Sequence, residues 1–160
     1  MRQTGRTVRR YGDMHMDSHP AFGPRHPPIV LVVDDDLMVR EPIADYLREV
    51  GYQVLEAGDA QEAIDLVDHA DHVDLVFSDV RMPGELDGIG LARWVHAHRP
   101  DLPVLLTTGY GGGGWLGGGL GREVRVLQKP YTQAQVLHHI RRLLSLYPAI
   151  QVQKKDSAGG

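Results

Sequence analysis

The sequence contains no cysteine, which excludes a disulfide scaffold, thiol catalysis and any thiolate zinc centre. It has no apolar run near the ~18–20 residues of a membrane span, and its first residues lack the apolar stretch of a signal peptide. A soluble, cytoplasmic protein is therefore expected. Aromatic residues are sparse at 6%, but 42% of the 160 residues are hydrophobic, enough for one domain with a real core. Glycine is the exception to this economy. Of 19 glycines, nine fall within the thirteen residues Gly109 to Gly121.

Charge divides the chain. Residues 1–28 carry five arginines against Asp13 and Asp17, and the remainder carries 12 basic and 19 acidic side chains, so +3 and −7 sum to the net −4. Prolines 20, 24, 27 and 28 and few large apolar residues make that first segment read as a disordered basic lead-in. Its arginines form no organised patch, so direct nucleic-acid contact is not expected. Residues 147–160 read as a polar tail.

Between these ends, strand and helix patterns alternate. Ile29 to Val33 is a β-branched run of the kind buried on both faces. Val39, Ile43, Leu47 and Val50 follow at helical spacing, with Gly51 as the stop and Pro42 requiring a helix start at about residues 38–41. Further strands are expected at Tyr52–Glu56, Val73–Ser78, Val104–Thr107 and Glu123–Leu127. Further helices are expected at Ala60–Ala70, Gly88–His98 and Thr132–Leu146. Strands interleaved with helices imply right-handed crossovers and a parallel sheet covered on both faces. Such sheets carry their chemistry at the carboxyl ends of the strands.

At those ends stand Asp34, Asp35 and Asp36, then Asp79, Thr108 and Lys129. Two carboxylates ~5 Å apart repel by roughly 3 kcal/mol at an effective dielectric of 20, so such a rim calls for a cation. A hard divalent ion that uses few carboxylates and keeps several waters suits it, which points to Mg²⁺. Cation, carboxylate, hydroxyl and ammonium together are the parts of a phosphoryl-transfer site. Taken singly, each residue has an ordinary explanation; Asp36, for example, reads as a helix N-cap. Four separate strand ends supplying this set together favour the joint reading.

The segments VLVVDDDLMVRE, DLVFSDVRMPGELDGIGLA, LPVLLTTGY and VLQKPY resemble, in order and spacing, the receiver domains of two-component response regulators. The resemblance runs from about Ile29 to Leu146 and implies a flavodoxin-like (βα)5 domain with strand order 2-1-3-4-5. It implies that Asp79 accepts a phosphoryl group from a histidine kinase or histidine phosphotransfer protein. Asp34, Asp35, Asp79 and the main-chain carbonyl of Arg81 would hold Mg²⁺, with Asp35 favoured over Asp34 as the direct ligand. Thr108 would be the switch hydroxyl, Lys129 its cationic partner, and Lys129–Pro130 a cis bond. The function implied is signalling to a downstream effector protein rather than metabolic catalysis. The turn MPGELDG is one residue longer than the common form; with TTGY and KPY it looks like receivers of hybrid kinases or stand-alone receivers. No DNA-binding domain is read after Leu146, so output is expected through a partner.

Two features depart from that pattern. Val126, Leu127 and Gln128 leave no aromatic ring before the lysine to report the switch by its rotamer. The glycine cluster stands where a fourth helix belongs, and six glycines at 112–114 and 117–119 cost roughly 5–6 kcal/mol of helix propensity. A short or frayed helix is expected, anchored by Trp115, Leu116 and Leu120. Gly109, Gly111 and Gly114 also fit G-x-G-x-x-G, but at the wrong strand and without an acidic ribose partner, so no dinucleotide site is read there. His96, His98, His138 and His139 lack a common metal-binding face and read as surface residues. An enzyme alternative, a phosphatase similar to the haloacid dehalogenase superfamily, would place the nucleophile at Asp34. It lacks a late acidic pair after Lys129. A degenerate receiver that binds partners without phosphorylation is the third reading. The glycine cluster yields a direct expectation: amide hydrogen exchange across 112–120 is fast, and strong protection there would contradict a frayed helix.

Overall fold

Five runs rich in branched apolar residues pair into a single parallel sheet, ordered β2-β1-β3-β4-β5. They are β1 (Ile29–Val33), β2 (Gln53–Ala57), β3 (Leu75–Asp79), β4 (Val104–Thr108) and β5 (Val124–Gln128). The computed structural model describes residues 27–109, 120–121 and 123–146. Within these, the helices are α1 (Leu37–Glu49), α2 (Ala60–His69), α3 (Gly88–His98) and α4 (Gln133–Leu146). None is long and apolar enough to cross a membrane. The basic lead-in, the tail, and the short helix expected within 109–121 fall almost wholly outside the described residues.

Alternation along the strands builds two cores. Leu31 and Val33 of β1 face a cluster completed by Ala63, Ile64 and Val67 of α2 and Leu91, Ala92 and Val95 of α3. Val30 and Val32 face the other way, onto Ile43 and Leu47 of α1 and Val136, Ile140 and Leu143 of α4. A strand apolar on both faces is thus sandwiched between helix layers, as the sequence pattern requires. Leu120 is buried in the α2–α3 cluster and anchors the end of the glycine-rich connection there.

Helix starts are set by side-chain caps. Asp36 accepts from the Met38 N–H at 2.9 Å, Asp59 from Glu62 at 2.8 Å and Asp87 from Gly90 at 2.8 Å. Thr132 and Gln135 form a reciprocal capping box, each side chain accepting from the other's backbone N–H at 3.1 and 2.8 Å. The Asp36 cap starts α1 at Leu37, earlier than Pro42 alone suggests, so Pro42 lies inside the helix. Its missing N–H leaves the Met38 carbonyl without its intrahelical donor, at a residue that is exposed and open to water. Val50 also differs from expectation. It is the C-cap residue, its N–H turned back onto the last carbonyls, and its side chain is exposed rather than in the core. The expected strand bounds at β2, β3, β4 and β5 differ from those observed by one or two residues.

The β3–α3 turn passes very close to the sheet. Gly88 donates its N–H to the Val80 carbonyl at 2.8 Å. A Cβ placed on Gly88 would overlap the Asp79 carbonyl oxygen and lie 2.8 Å from the Val80 Cα. Both obstacles are backbone and neither can swing away. Gly88→Ala is therefore expected to lower stability by about 2–3 kcal/mol in urea unfolding, a cost typical of overpacking. A loss under 0.5 kcal/mol would show that the turn can retreat.

Candidate functional site

The reversal in strand order brings β1 and β3 side by side, with Val33 paired to Ser78. The next residues on each, Asp34 and Asp79, consequently lie together at the carboxyl rim, where open α/β sheets form their binding crevice. Carboxylate oxygens of Asp34, Asp35 and Asp79 all lie within 4.8 Å of one another. Asp34 is buried, Asp79 half-buried and Asp35 exposed. From the other side, β4 and β5 contribute Thr108 and Lys129. The Lys129 N–H donates to the Thr108 carbonyl at 2.8 Å, and the Lys129 Nζ stands 3.2 Å from an Asp79 oxygen. Thr108 is buried at the strand end. The Lys129–Pro130 bond is cis, as expected.

The electrostatics of the rim are unbalanced: three carboxylates face one ammonium. Burial pushes the Asp34 carboxyl above its ordinary value of 3.8. The Asp36 N–H, at 2.9 Å from Asp34 Oδ1, opposes that rise, as does the Lys129 charge, while Asp79 and Asp35 add to it. A donor set of hard oxygens with surplus negative charge fits a divalent cation such as Mg²⁺. Asp36 stays apart, with its carboxylate spent on the α1 cap. Arg81 is exposed, two residues beyond Asp79.

Two participants were not singled out by sequence reasoning. Tyr131, next after the cis proline, packs edge-on against Phe77 with ring centroids 6.1 Å apart. Burial, then the charges of Asp34 and Asp79, push its phenol up to about 12, which places it in the field of the acid cluster as a neutral group. Arg40, on α1, reaches back to donate from Nη1 to the Asp34 main-chain carbonyl at 2.7 Å. Its Nε donates to Glu56 of β2 at 3.2 Å. Tyr131 enters the sequence reading only as the last residue of KPY, which gives it no role of its own. Arg40 sits six residues after Asp34, a spacing that can return a long side chain to the helix's own entry loop.

A family model for the response regulator receiver domain matches residues 30–141. The chain belongs to that family. It is 35% identical over 118 residues to the C4-dicarboxylate transport transcriptional regulatory protein DctD of Pseudomonas aeruginosa, covering 73% of this chain and 25% of DctD. It is 38% identical over 116 residues to the response regulator MprA of Mycolicibacterium vanbaalenii, covering 72% and 49%. The chain thus spans a quarter to a half of these relatives. Among solved structures, the signal receiver domain of a histidine kinase from Syntrophus aciditrophicus matches with a TM-score of 0.66 and 30% identity, covering 74% of this chain and 90% of that one. Receiver domains of this family are phosphorelay signalling modules rather than metabolic enzymes, and the phosphatase reading gains no support.

The raised carboxyl of Asp34 has a measurable consequence. An acid whose folded-state value lies above the unfolded one costs stability once ionised. That cost is absent below about pH 3.8 and complete once pH has risen through the folded value. In metal-free buffer, Asp34→Asn is accordingly expected to be more stable than the parent at pH 7 by about 1 kcal/mol, the scale of a partly screened carboxylate repulsion. The advantage should vanish at pH 3. Equal stability at both pH values would contradict the assignment.

Proposed function

We propose that the chain is a phosphoacceptor module in which Asp79 takes a phosphoryl group from a histidine kinase or histidine phosphotransfer protein. The observation that carries this reading is the meeting of Asp34, Asp35 and Asp79 at one rim with Lys129 against the acceptor. An Asp79 oxygen forms the new O–P bond as the N–P bond to the donor imidazole breaks, and the leaving imidazole takes up a proton. Lys129, already beside Asp79, moves its ammonium onto a phosphoryl oxygen, and the Thr108 hydroxyl donates to another. Asp34, Asp35, Asp79 and the Arg81 carbonyl are the residues that would hold Mg²⁺, which supplies charge neutralisation for the transferring group. The Tyr131 phenol, pushed up to about 12, adds no further negative charge beside the cluster.

The module works in the cytoplasm, where kinases of this kind deliver their phosphoryl groups, and passes the signal to an effector protein. The residue before the switch lysine that could carry a reporting aromatic is Val126, half-buried against the α2–α3 core. The response to phosphorylation therefore runs through displacement of Thr108 rather than through a ring rotation.

Acetyl phosphate with Mg²⁺ should add one phosphoryl group per chain, read as intact mass. Asp79→Asn should take up none, and chelation by EDTA should reduce the parent's uptake at least ~100-fold, given how much of such a reaction rests on charge neutralisation. Stoichiometric labelling of Asp79→Asn would overturn the reading.

A further inference from the structure

One arginine outside the acid cluster touches its backbone. Arg40 donates to the Asp34 carbonyl at 2.7 Å, a charge-assisted length, from a side chain only 17% exposed. The peptide that begins at this carbonyl joins Asp34 to Asp35. Because that unit is planar, fixing its carbonyl orients the backbone on both sides, and with it the directions in which the two acidic side chains leave the chain. The other side of Asp34 is fixed as well, its N–H donating to the Ala57 carbonyl at 3.2 Å. Arg40 is itself held. Glu56 of β2 accepts from Arg40 Nε at 3.2 Å and, through its second oxygen, from Arg48 Nη2 at 2.9 Å. Burial pushes the Glu56 carboxyl up, but hydrogen bonds and charge from Arg48 and Arg40 outweigh this and hold it below its ordinary value.

We propose that Arg40, braced by Glu56, is the positioning residue that aims the Asp34–Asp35 pair at the cation site. The inference rests on the metal-binding reading given above and extends it to two residues that touch neither the cation nor the phosphoryl group. The fork of the guanidinium is what the geometry requires: Nη1 serves the carbonyl while Nε serves the carboxylate, a division that a single ammonium on a lysine cannot reproduce. Partners that orient ligands in this way typically contribute ten- to a hundredfold to metal affinity. An ordinary surface ion pair would contribute to neither affinity nor aim.

The test is titration of the full chain with Mg²⁺ by isothermal calorimetry, at a temperature where every variant is folded by circular dichroism. Arg40→Ala should weaken the Mg²⁺ Kd about tenfold. Glu56→Ala, acting only through Arg40, should weaken it about threefold, and the double variant should be no weaker than Arg40→Ala alone. Ile64→Val, in the α2–α3 core and outside the rim's donor set, serves as a control for general loosening and should leave the Kd within twofold of the parent. Should Arg40→Ala fail to fold, Arg40→Lys carries the same direction of change, since it keeps the charge and loses the fork. Folded variants that bind Mg²⁺ within twofold of the parent would overturn the positioning role while leaving the site intact. So would a control weakened as much as they are. A parent chain that binds no Mg²⁺ would instead overturn the functional reading itself.

Discussion

The crowding of three carboxylates against one ammonium at the sheet's carboxyl rim is the constraint around which this domain is arranged. Carboxylate oxygens of Asp34, Asp35 and Asp79 lie within 4.8 Å of one another, with the Lys129 Nζ 3.2 Å from an Asp79 oxygen. Left to themselves these groups would separate, because close carboxylates repel and the buried Asp34 also loses hydration. They are kept together by elements that cannot move independently. Asp34 and Asp79 follow paired residues on adjacent central strands, and Lys129 is tied through its N–H to Thr108. The stability of two apolar helix–sheet layers thus holds an unfavourable charge arrangement together at the rim.

Rigidity at the rim has its own supports. The Asp36 N–H fixes one Asp34 oxygen, the Arg40 guanidinium fixes its carbonyl, and Ala57 receives its N–H. Gly88 lets the β3–α3 turn close over the Asp79 backbone where any side chain would collide. On the function proposed above, this geometry would let the Asp79 carboxylate act as a nucleophile, with orientation arranged before the donor arrives. The glycine-rich connection begins directly after Thr108, at Gly109, so the Thr108 hydroxyl adjoins the segment with the least intrinsic helix propensity in the chain.

The order of elements was legible in the sequence because the pattern is strong where both faces of a strand are buried. Ile29 to Val33 reads as a central strand, and Asp34 follows it in the structure as in the sequence. Convergence of the strand-end residues was legible for the same reason: parallel topology brings consecutive carboxyl ends to one rim. What periodicity could not supply was the fine placement set by single hydrogen bonds. The Asp36 cap, not Pro42, decides where α1 starts, and the end of the helix at Glu49 turns Val50 from a core residue into an exposed cap. Arg40 and Tyr131 escaped notice because their roles depend on where a long side chain returns in space, which neither spacing nor composition encodes.

The central claim, that the acid rim is held at an electrostatic cost which a divalent cation relieves, is open to a direct measurement. The thermal unfolding midpoint is followed as Mg²⁺ is raised at constant ionic strength. Ligand linkage predicts a midpoint that climbs with the logarithm of Mg²⁺ concentration above the Kd, with ~2.7 kcal/mol of added stability at a hundredfold excess over it. A midpoint that does not respond to Mg²⁺ beyond what matched NaCl produces would contradict the account.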